Sequence, residues 1–361
     1  MRRFAGLFTP TLTALGIVSL VACGSAAPPV AAPSGAAPAS VPKSSVSSPA
    51  REPTKVTVGL SSPTVYSAPV YAALDEGLFK KEGLDVQLPL LDSATLVQSV
   101  VSGGVQFAPL ASTTAAVNAI TSGADLKMVA SVNNSSGILI TSARDIKTMA
   151  ELRGKTLAIA QPLSVSDLAA RLALKQAGLA YNKDVHILSV GNVPAAVASL
   201  EAGKVQAASL SADAALMLQA QGYNILANLA QQHLPLNEGA TLVKASYARA
   251  YPGLVTASIK ALWEGTRAID GDYGVFSRAM NNHLKDQSSQ QLKASYQIFK
   301  LIWSAPPNPR VTREGLKTIL EVLAAANPKT AKVTPQQLVD NTYIEKLKAQ
   351  GFFRPGECQG C

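Results

Sequence analysis

From Val56 the chain alternates apolar and small or polar residues, Val56-Thr57-Val58-Gly59-Leu60, which predicts a strand. A polar turn with a proline follows at Ser61-Ser62-Pro63-Thr64. Val70, Ala73, Leu74 and Leu78 then recur at helical spacing, and Gly77 suits a left-handed helix end. Gly83 re-aims the chain into a second alternating run, Leu84, Val86, Leu88 and Leu90. Strand, polar loop, helix and strand make the unit of an open α/β sheet, where small ligands sit at loops leaving the carboxyl ends of strands. The same pattern predicts a helix opening at Ser93-Ala94-Thr95, a buried strand over 105–110 and a helix over 114–121. Strands are predicted over 126–132, 138–141, 185–190, 224–229 and 240–244, with helices over 167–176, 194–202 and 255–270. Residues 274–352 read as largely helical, interrupted by prolines at 306–309 and 328.

The two ends have a different pattern. Arg2 and Arg3 precede an apolar run from Leu12 to Ala22, the signature of a secretory signal, and the run is too short for a stable membrane span. It ends Leu20-Val21-Ala22-Cys23, which resembles a bacterial lipobox, so that residues 1–23 form a lipoprotein signal and Cys23 is the expected lipidation site. Residues 24–53 are mostly Ala, Pro, Ser and Val, bury too little to fold, and read as a flexible tether.

With 47% hydrophobic and 15% charged residues over 361 positions, the chain has enough apolar surface for a large core. Its net charge of +9 is scattered rather than clustered with aromatics, and the chain carries an export signal. A solvated surface is therefore expected, with weak attraction for anionic lipids or solutes, and no nucleic-acid partner. Cys358 and Cys361 close the chain as Cys-Gln-Gly-Cys, a pair able to join in an oxidising compartment but poor evidence of zinc or redox chemistry. His186, His233 and His283 are widely spaced, so no metal and no cofactor are expected. Gly154-Lys155 is not a phosphate loop, because Met149 stands where the first glycine is needed and a strand follows.

Residues 72–86, Ala-Ala-Leu-Asp-Glu-Gly-Leu-Phe-Lys-Lys-Glu-Gly-Leu-Asp-Val, resemble the opening motif of periplasmic substrate-binding proteins of the nitrate/sulfonate/taurine type. These are solute receptors of ABC importers, a group that also includes thiamine-precursor binders. Residues 149–160, Met-Ala-Glu-Leu-Arg-Gly-Lys-Thr-Leu-Ala-Ile-Ala, resemble a second signature of the group, and Tyr247–Pro252 with the helix behind it a third. Ser102–Ala108 and Leu200–Ala208 echo one another as helix, glycine, short strand and polar loop. Gln106 and Gln206 stand there where the family tends to have aspartate.

The resemblance covers about 54–352 and implies an α/β, two-lobed periplasmic-binding-protein fold (type II). Each lobe is a mixed sheet flanked by helices, with a hinge between the lobes. The implied domains are the first lobe over 54–140, the second over 141–239, a mostly helical return to the first over 240–352, and a tail over 353–361. The implied function is capture of a small molecule between the lobes and delivery to an ABC permease by a monomeric, extracytoplasmic receptor tethered to the membrane through lipid. A sensory receptor of the same fold is the alternative. Relatives on this scaffold include enzymes that need a cysteine, but residues 54–357 contain none, so no catalysis is expected.

The loops that would face the ligand carry Ser61, Ser62, Thr64, Tyr66, Ser112, Thr113, Asn133, Ser164, Ser166, Ser211 and Asp213. Several of these also suit capping or turns: Ser112 and Thr113 before one helix, Ser164 or Ser166 before another, Asn133 in a turn, and Asp213 as a cap or a partner for an amino group. Hydroxyls and helix N-termini without arginine suit a sulfonate or similar oxyanion held by neutral donors, or a neutral polar or aromatic molecule stacked on Tyr66.

Overall fold

The computed structural model of the protein describes residues 54–61, 63–232, 235–284, 287–303, 308–324 and 327–358. The expected signal, Cys23 and the tether lie outside the described residues, as do Ser62, His233 and Cys361.

The first lobe begins with β1 (Thr54–Thr57), α1 (Ala68–Asp75), α2 (Leu78–Lys81) and β2 (Leu84–Gln87). It continues with α3 (Ser93–Ser102), β3 (Ala108–Ser112), α4 (Thr113–Thr121) and β4 (Leu126–Asn133). Gly77, at φ 66°, breaks α1 from α2 in the left-handed conformation that glycine adopts without steric cost. β1 and β2 pair in parallel, a pairing extended by a parallel Leu60–Leu90 bridge, and a parallel Val58–Phe107 bridge carries the sheet toward β3. Gly59 lies on this path under α3, where a Cβ would strike Leu96. The helix α3 is capped by Asp92, whose carboxylate accepts from the Ala94 and Thr95 amides, one residue before the start expected from Ser93.

The second lobe holds β5 (Ile138–Ser142), β6 (Thr156–Ile159), α5 (Val165–Gln176) and β7 (His186–Ser189). It is completed by α6 (Val193–Glu201), β8 (Ala207–Ser211), α7 (Ala212–Ala220) and β9 (Asn224–Asn228). Its sheet runs β7-β6-β8-β5-β9, with β6 parallel to both β7 and β8 and β5 antiparallel to β8 and β9. The chain then returns to the first lobe as β10 (Gly239–Lys244), which lies antiparallel between β3 and β4. The first lobe therefore has the same plan, β2-β1-β3-β10-β4. In each sheet the antiparallel strand is the one that has just crossed from the other lobe.

The repeat extends to side chains. The Gln106 Oε1 accepts from the Thr57 amide at 2.8 Å, and the Gln206 Oε1 accepts from the Thr156 amide at 3.1 Å. The amide of each glutamine donates in return to the carbonyl of that same threonine. Gln106 thus ties the start of β3 to β1 and Gln206 the start of β8 to β6, a role that needs a side-chain acceptor and not specifically a carboxylate.

The remaining chain is helical: α8 (Ala245–Ala250), α9 (Pro252–Gly271), α10 (Tyr273–His283), α11 (Ser289–Trp303), α12 (Arg313–Ala324), α13 (Pro335–Leu338) and α14 (Thr342–Ala349). α9 and α10 pack on α1, and Gly265 lets α9 approach the α1 backbone at Pro69. α11 also touches α7, and α12 touches both α4 and α5, so two helices of the return contact both lobes. The tail is fastened by Glu357, which accepts from Arg267 and Trp263, and by Cys358, which is buried and disulfide-bonded. The pairing of β5 from Ile138 puts the crossing between lobes earlier than the expected boundary at 140–141, because residues 138–140 already lie against β8.

Candidate functional site

A cavity of about 360 Å³ lies between the lobes. The first lobe contributes the loop after β1 (Leu60, Ser61, Pro63, Thr64, Tyr66), the segment before α3 (Leu90, Leu91, Asp92) and Leu110. The second lobe contributes the loop and first turn of α5 (Gln161, Ser164, Val165, Ser166), the start of α6 (Asn192, Val193, Pro194) and Ser211 before α7. Ile138, Glu238 and Gly239, beside the two crossings, complete it. These are loops at the carboxyl ends of parallel strands, where the α/β arrangement leaves backbone groups and helix N-termini facing open space.

The walls are aliphatic: Leu60, Leu90, Leu110, Ile138, Val165 and Val193 all face the cavity. Leu90 is 52% exposed, an uncovered apolar side chain at the opening. The charged residues in the lining are Asp92 and Glu238; no lysine, arginine or histidine is present among the described lining residues. The Asp92 carboxyl is held below its ordinary value by the Thr95 hydroxyl and amide, so it is ionised at neutral pH. Glu238 is 2% exposed, and its carboxylate accepts from the Ser136 hydroxyl at 2.6 Å and the Gly137 amide at 3.3 Å.

Tyr66 spans the two parts of the molecule. Its hydroxyl donates to the Gly137 carbonyl at the first crossing, and burial, followed by the charges of Glu238 and Asp213, pushes its pKa well above the ordinary phenol value. The phenol stays neutral, and its hydroxyl is committed as a strut between lobe and crossing.

The start of α5 is the most polar part of the wall. Ser164 caps the helix, accepting weakly from the Asp167 amide at 3.4 Å, and its hydroxyl lies 2.9 Å from that of Ser166. Ser166, by contrast, is inside the helix and accepts from the Ala160 amide at 2.9 Å. Asp167 is 1% exposed and is absorbed locally: it accepts from the Leu163 amide, the Arg171 Nε at 3.0 Å and the Tyr181 hydroxyl. The Arg171 guanidinium stacks 3.7 Å over the Tyr181 ring. The Asp167 charge is therefore balanced, and the positive end of the α5 dipole remains open to the cleft.

Of the eleven residues expected at the ligand, Ser61, Thr64, Tyr66, Ser164, Ser166 and Ser211 line the cavity. The Ser211 hydroxyl is buried beside the Asp213 carboxyl. Ser112, Thr113 and Asp213 do not line it. The Ser112 hydroxyl is spent on the Leu163 carbonyl, and the Thr113 amide donates to the Glu238 carbonyl beneath the cavity. Asp213 sits behind Ser211, where burial raises its carboxyl pKa. Asn133 ends β4, paired with Gly239, and Ser62 lies outside the described residues. Sequence reasoning missed Glu238, Asp92, Gln161 and Asn192. Asn192 had a readable signal, a cap residue before Val193-Pro194, and its side chain does accept from the Ala195 amide at 2.8 Å. Glu238 had none, since the segment before Gly239 shows no periodicity.

A family model described as NMT1/THI5-like matches residues 64–270, more than half of the chain. The YtlA protein of Bacillus subtilis is 20% identical over 307 residues, spanning 82% of this chain and 91% of its own. A solved structure of a Bordetella bronchiseptica protein superimposes with a TM-score of 0.69 at 21% identity, covering 84% of this chain and 99% of that one. The alkanesulfonate-binding protein SsuA of Xanthomonas axonopodis, solved bound to MOPS, gives a TM-score of 0.64 at 18% identity, covering 80% of this chain and 97% of that one. The fold is that of the periplasmic binding proteins. No helix among the described residues is long and apolar enough to cross a membrane.

Proposed function

The chain belongs to the NMT1/THI5-like family, and from that membership we propose that it is the solute receptor of an ABC importer. In this reading it is an extracytoplasmic monomer, lipidated at Cys23 and tethered by residues 24–53, which closes its two lobes on a small organic molecule and presents it to a membrane permease. The reading is of a binding protein, with no bond made or broken.

The observation that carries it is the composition of the cleft, in which aliphatic walls from both lobes meet a helix N-terminus flanked by Ser164, Ser166 and Ser211. Such a site suits a solute with an apolar body and a hydrogen-bonding head. The opening of α5 supports an alkylsulfonate or similar oxyanion, held by amides and hydroxyls rather than by a cation. Asp92 and Glu238 favour a second reading, a neutral or amine-bearing organic solute, since carboxylates in the lining oppose a negative charge on the ligand.

A thermal-shift screen of the mature chain tests both. The panel holds alkylsulfonates of increasing chain length, taurine, nitrate, and neutral and amine-bearing aliphatic solutes. A ligand at 100 times its dissociation constant adds about 2.7 kcal/mol of stability. Shifts that grow with alkyl chain length among sulfonates support the first reading, and shifts confined to neutral or amine-bearing solutes support the second. A shift with nitrate alone overturns the apolar-body argument, and a flat panel against well-folded, ligand-free protein overturns the receptor reading for this solute class.

A further inference from the structure

The first lobe grips the second at the start of α4. The Ser112 hydroxyl donates to the Leu163 carbonyl at 2.6 Å, the Thr114 hydroxyl donates to the same oxygen, and the two hydroxyls are 2.8 Å apart. Ser112 and Thr114 are 4% and 2% exposed, so these bonds are made away from water. Leu163 belongs to the loop between β6 and α5, in the opposite lobe. Its φ is 61°, a left-handed conformation unfavourable for any residue with a Cβ and maintained only when its surroundings fix it. Two restraints do so here. The Leu163 amide donates to the Asp167 Oδ2 at 2.9 Å, with Asp167 itself clamped by Arg171 and Tyr181, and the carbonyl is occupied by the hydroxyls of Ser112 and Thr114. Two donors on one carbonyl fill both of its lone pairs. The next residue, Ser164, is the cap of α5 and lines the cavity. The carbonyl that bridges the lobes and the turn that faces the solute are thus consecutive.

We propose that Ser112 and Thr114 are positioning residues that latch the closed cleft. They act through Leu163, setting the Pro162–Ser166 loop and the N-terminus of α5 in their solute-facing geometry when the lobes meet. Opening the lobes breaks both bonds at once and returns all three groups to water, so the contact is reversible. It biases the closed population before any solute arrives, and apparent affinity scales with that population. The proposal rests on the reading of the cleft as one that closes on a solute.

The test is a distance measurement without solute. Nitroxide labels are placed at Lys80→Cys in the first lobe and Lys204→Cys in the second, both exposed positions, and the distance distribution is read by pulsed electron resonance on the full mature chain. Ser112→Ala with Thr114→Val is expected to raise the open-to-closed ratio at least tenfold, equivalent to about 1.4 kcal/mol. Thr114→Ser alone, which keeps the hydroxyl, is expected to preserve the wild-type distribution. A double variant with native circular dichroism and an unchanged distribution overturns the latch, as does Thr114→Ser opening as far as the double variant. A merely structural role would lower thermal stability and leave the distribution where it was. Should the double variant not fold, Ser112→Ala alone carries the test, with a smaller shift expected and no shift overturning the proposal. Because no solute is present, a flat ligand screen leaves this result standing, and a double variant that binds solute with an unchanged distribution sinks the latch alone.

Discussion

The Tyr66 hydroxyl meets the Gly137 carbonyl at the first crossing between the lobes. A Cβ on Gly137 would fall on the Tyr66 hydroxyl and on the end of Ile302, both held by their own packing. Gly137→Ala should therefore destabilise the protein by about 1–3 kcal/mol through overpacking. Tyr66→Phe should cost less, about 0.5–1.5 kcal/mol for the lost bond to the Gly137 carbonyl. Urea midpoints measure both, and a silent Gly137→Ala would mean that Tyr66 is free to move. Asp213 makes a different claim, about pH. Burial raises its folded-state pKa above the ordinary value of 3.8, and one carboxylate oxygen has no hydrogen-bond partner among the described residues. A raised carboxyl pKa means that the unfolded chain ionises first, so stability present below the unfolded pKa is lost as pH rises through the folded one. Asp213→Asn is then expected to be more stable than wild type at neutral pH, with the gap closing as pH falls below 3.8. A gap that widens on acidification would show that the carboxylate is stabilised where it stands.

The clearest regularity among the elements is the glutamine clasp repeated in both sheets, Gln106 between β3 and β1 and Gln206 between β8 and β6. Each Gln side chain accepts from a Thr amide that starts or ends a pairing, so Gln106→Ala and Gln206→Ala should each cost about 0.5–1.5 kcal/mol. The two sites lie in different sheets with no shared partners, so the double variant should lose close to the sum of the two. Strong non-additivity in chemical denaturation would contradict two independent fasteners. This repeat was legible in the chain because Ser102–Ala108 and Leu200–Ala208 carry the same pattern of glycine, apolar and polar positions. Strands and helices with strong periodicity were legible for the same reason, with ends shifted by a residue or a few where capping decides, as at Asp92. Half of the cleft was legible too, because a hydroxyl after a strand and before a helix must sit at the sheet edge, as Ser61, Ser164 and Ser211 do. Long-range pairing was not. Nothing local tells that Ser112 turns to Leu163 across 51 positions, or that Glu238 lies under the cleft. Those contacts follow from which strand inserts antiparallel into which sheet, and the order of residues does not display it.

A two-lobed molecule joined by two crossing segments would ordinarily unfold as two units, but the apolar core here does not respect that division. One cluster of buried side chains contains Leu96 and Val117 from the first lobe, Leu157, Leu168 and Leu172 from the second, and Leu316, Ile319 and Leu323 from α12. α12 touches both α4 and α5, so it ties the two lobes together beyond their crossing segments. The thermodynamic consequence is shared stability. Leu316 is 1% exposed, and Leu316→Ala removes side-chain volume from the part of the core common to both lobes, at a cost of about 2–5 kcal/mol. Calorimetry should show one endotherm in which calorimetric and van't Hoff enthalpies agree, and Leu316→Ala should move that endotherm down as a whole. If the endotherm instead splits, with one lobe melting at the wild-type temperature, α12 covers a single lobe and the lobes are held together only by their crossings and the Ser112–Leu163 contact.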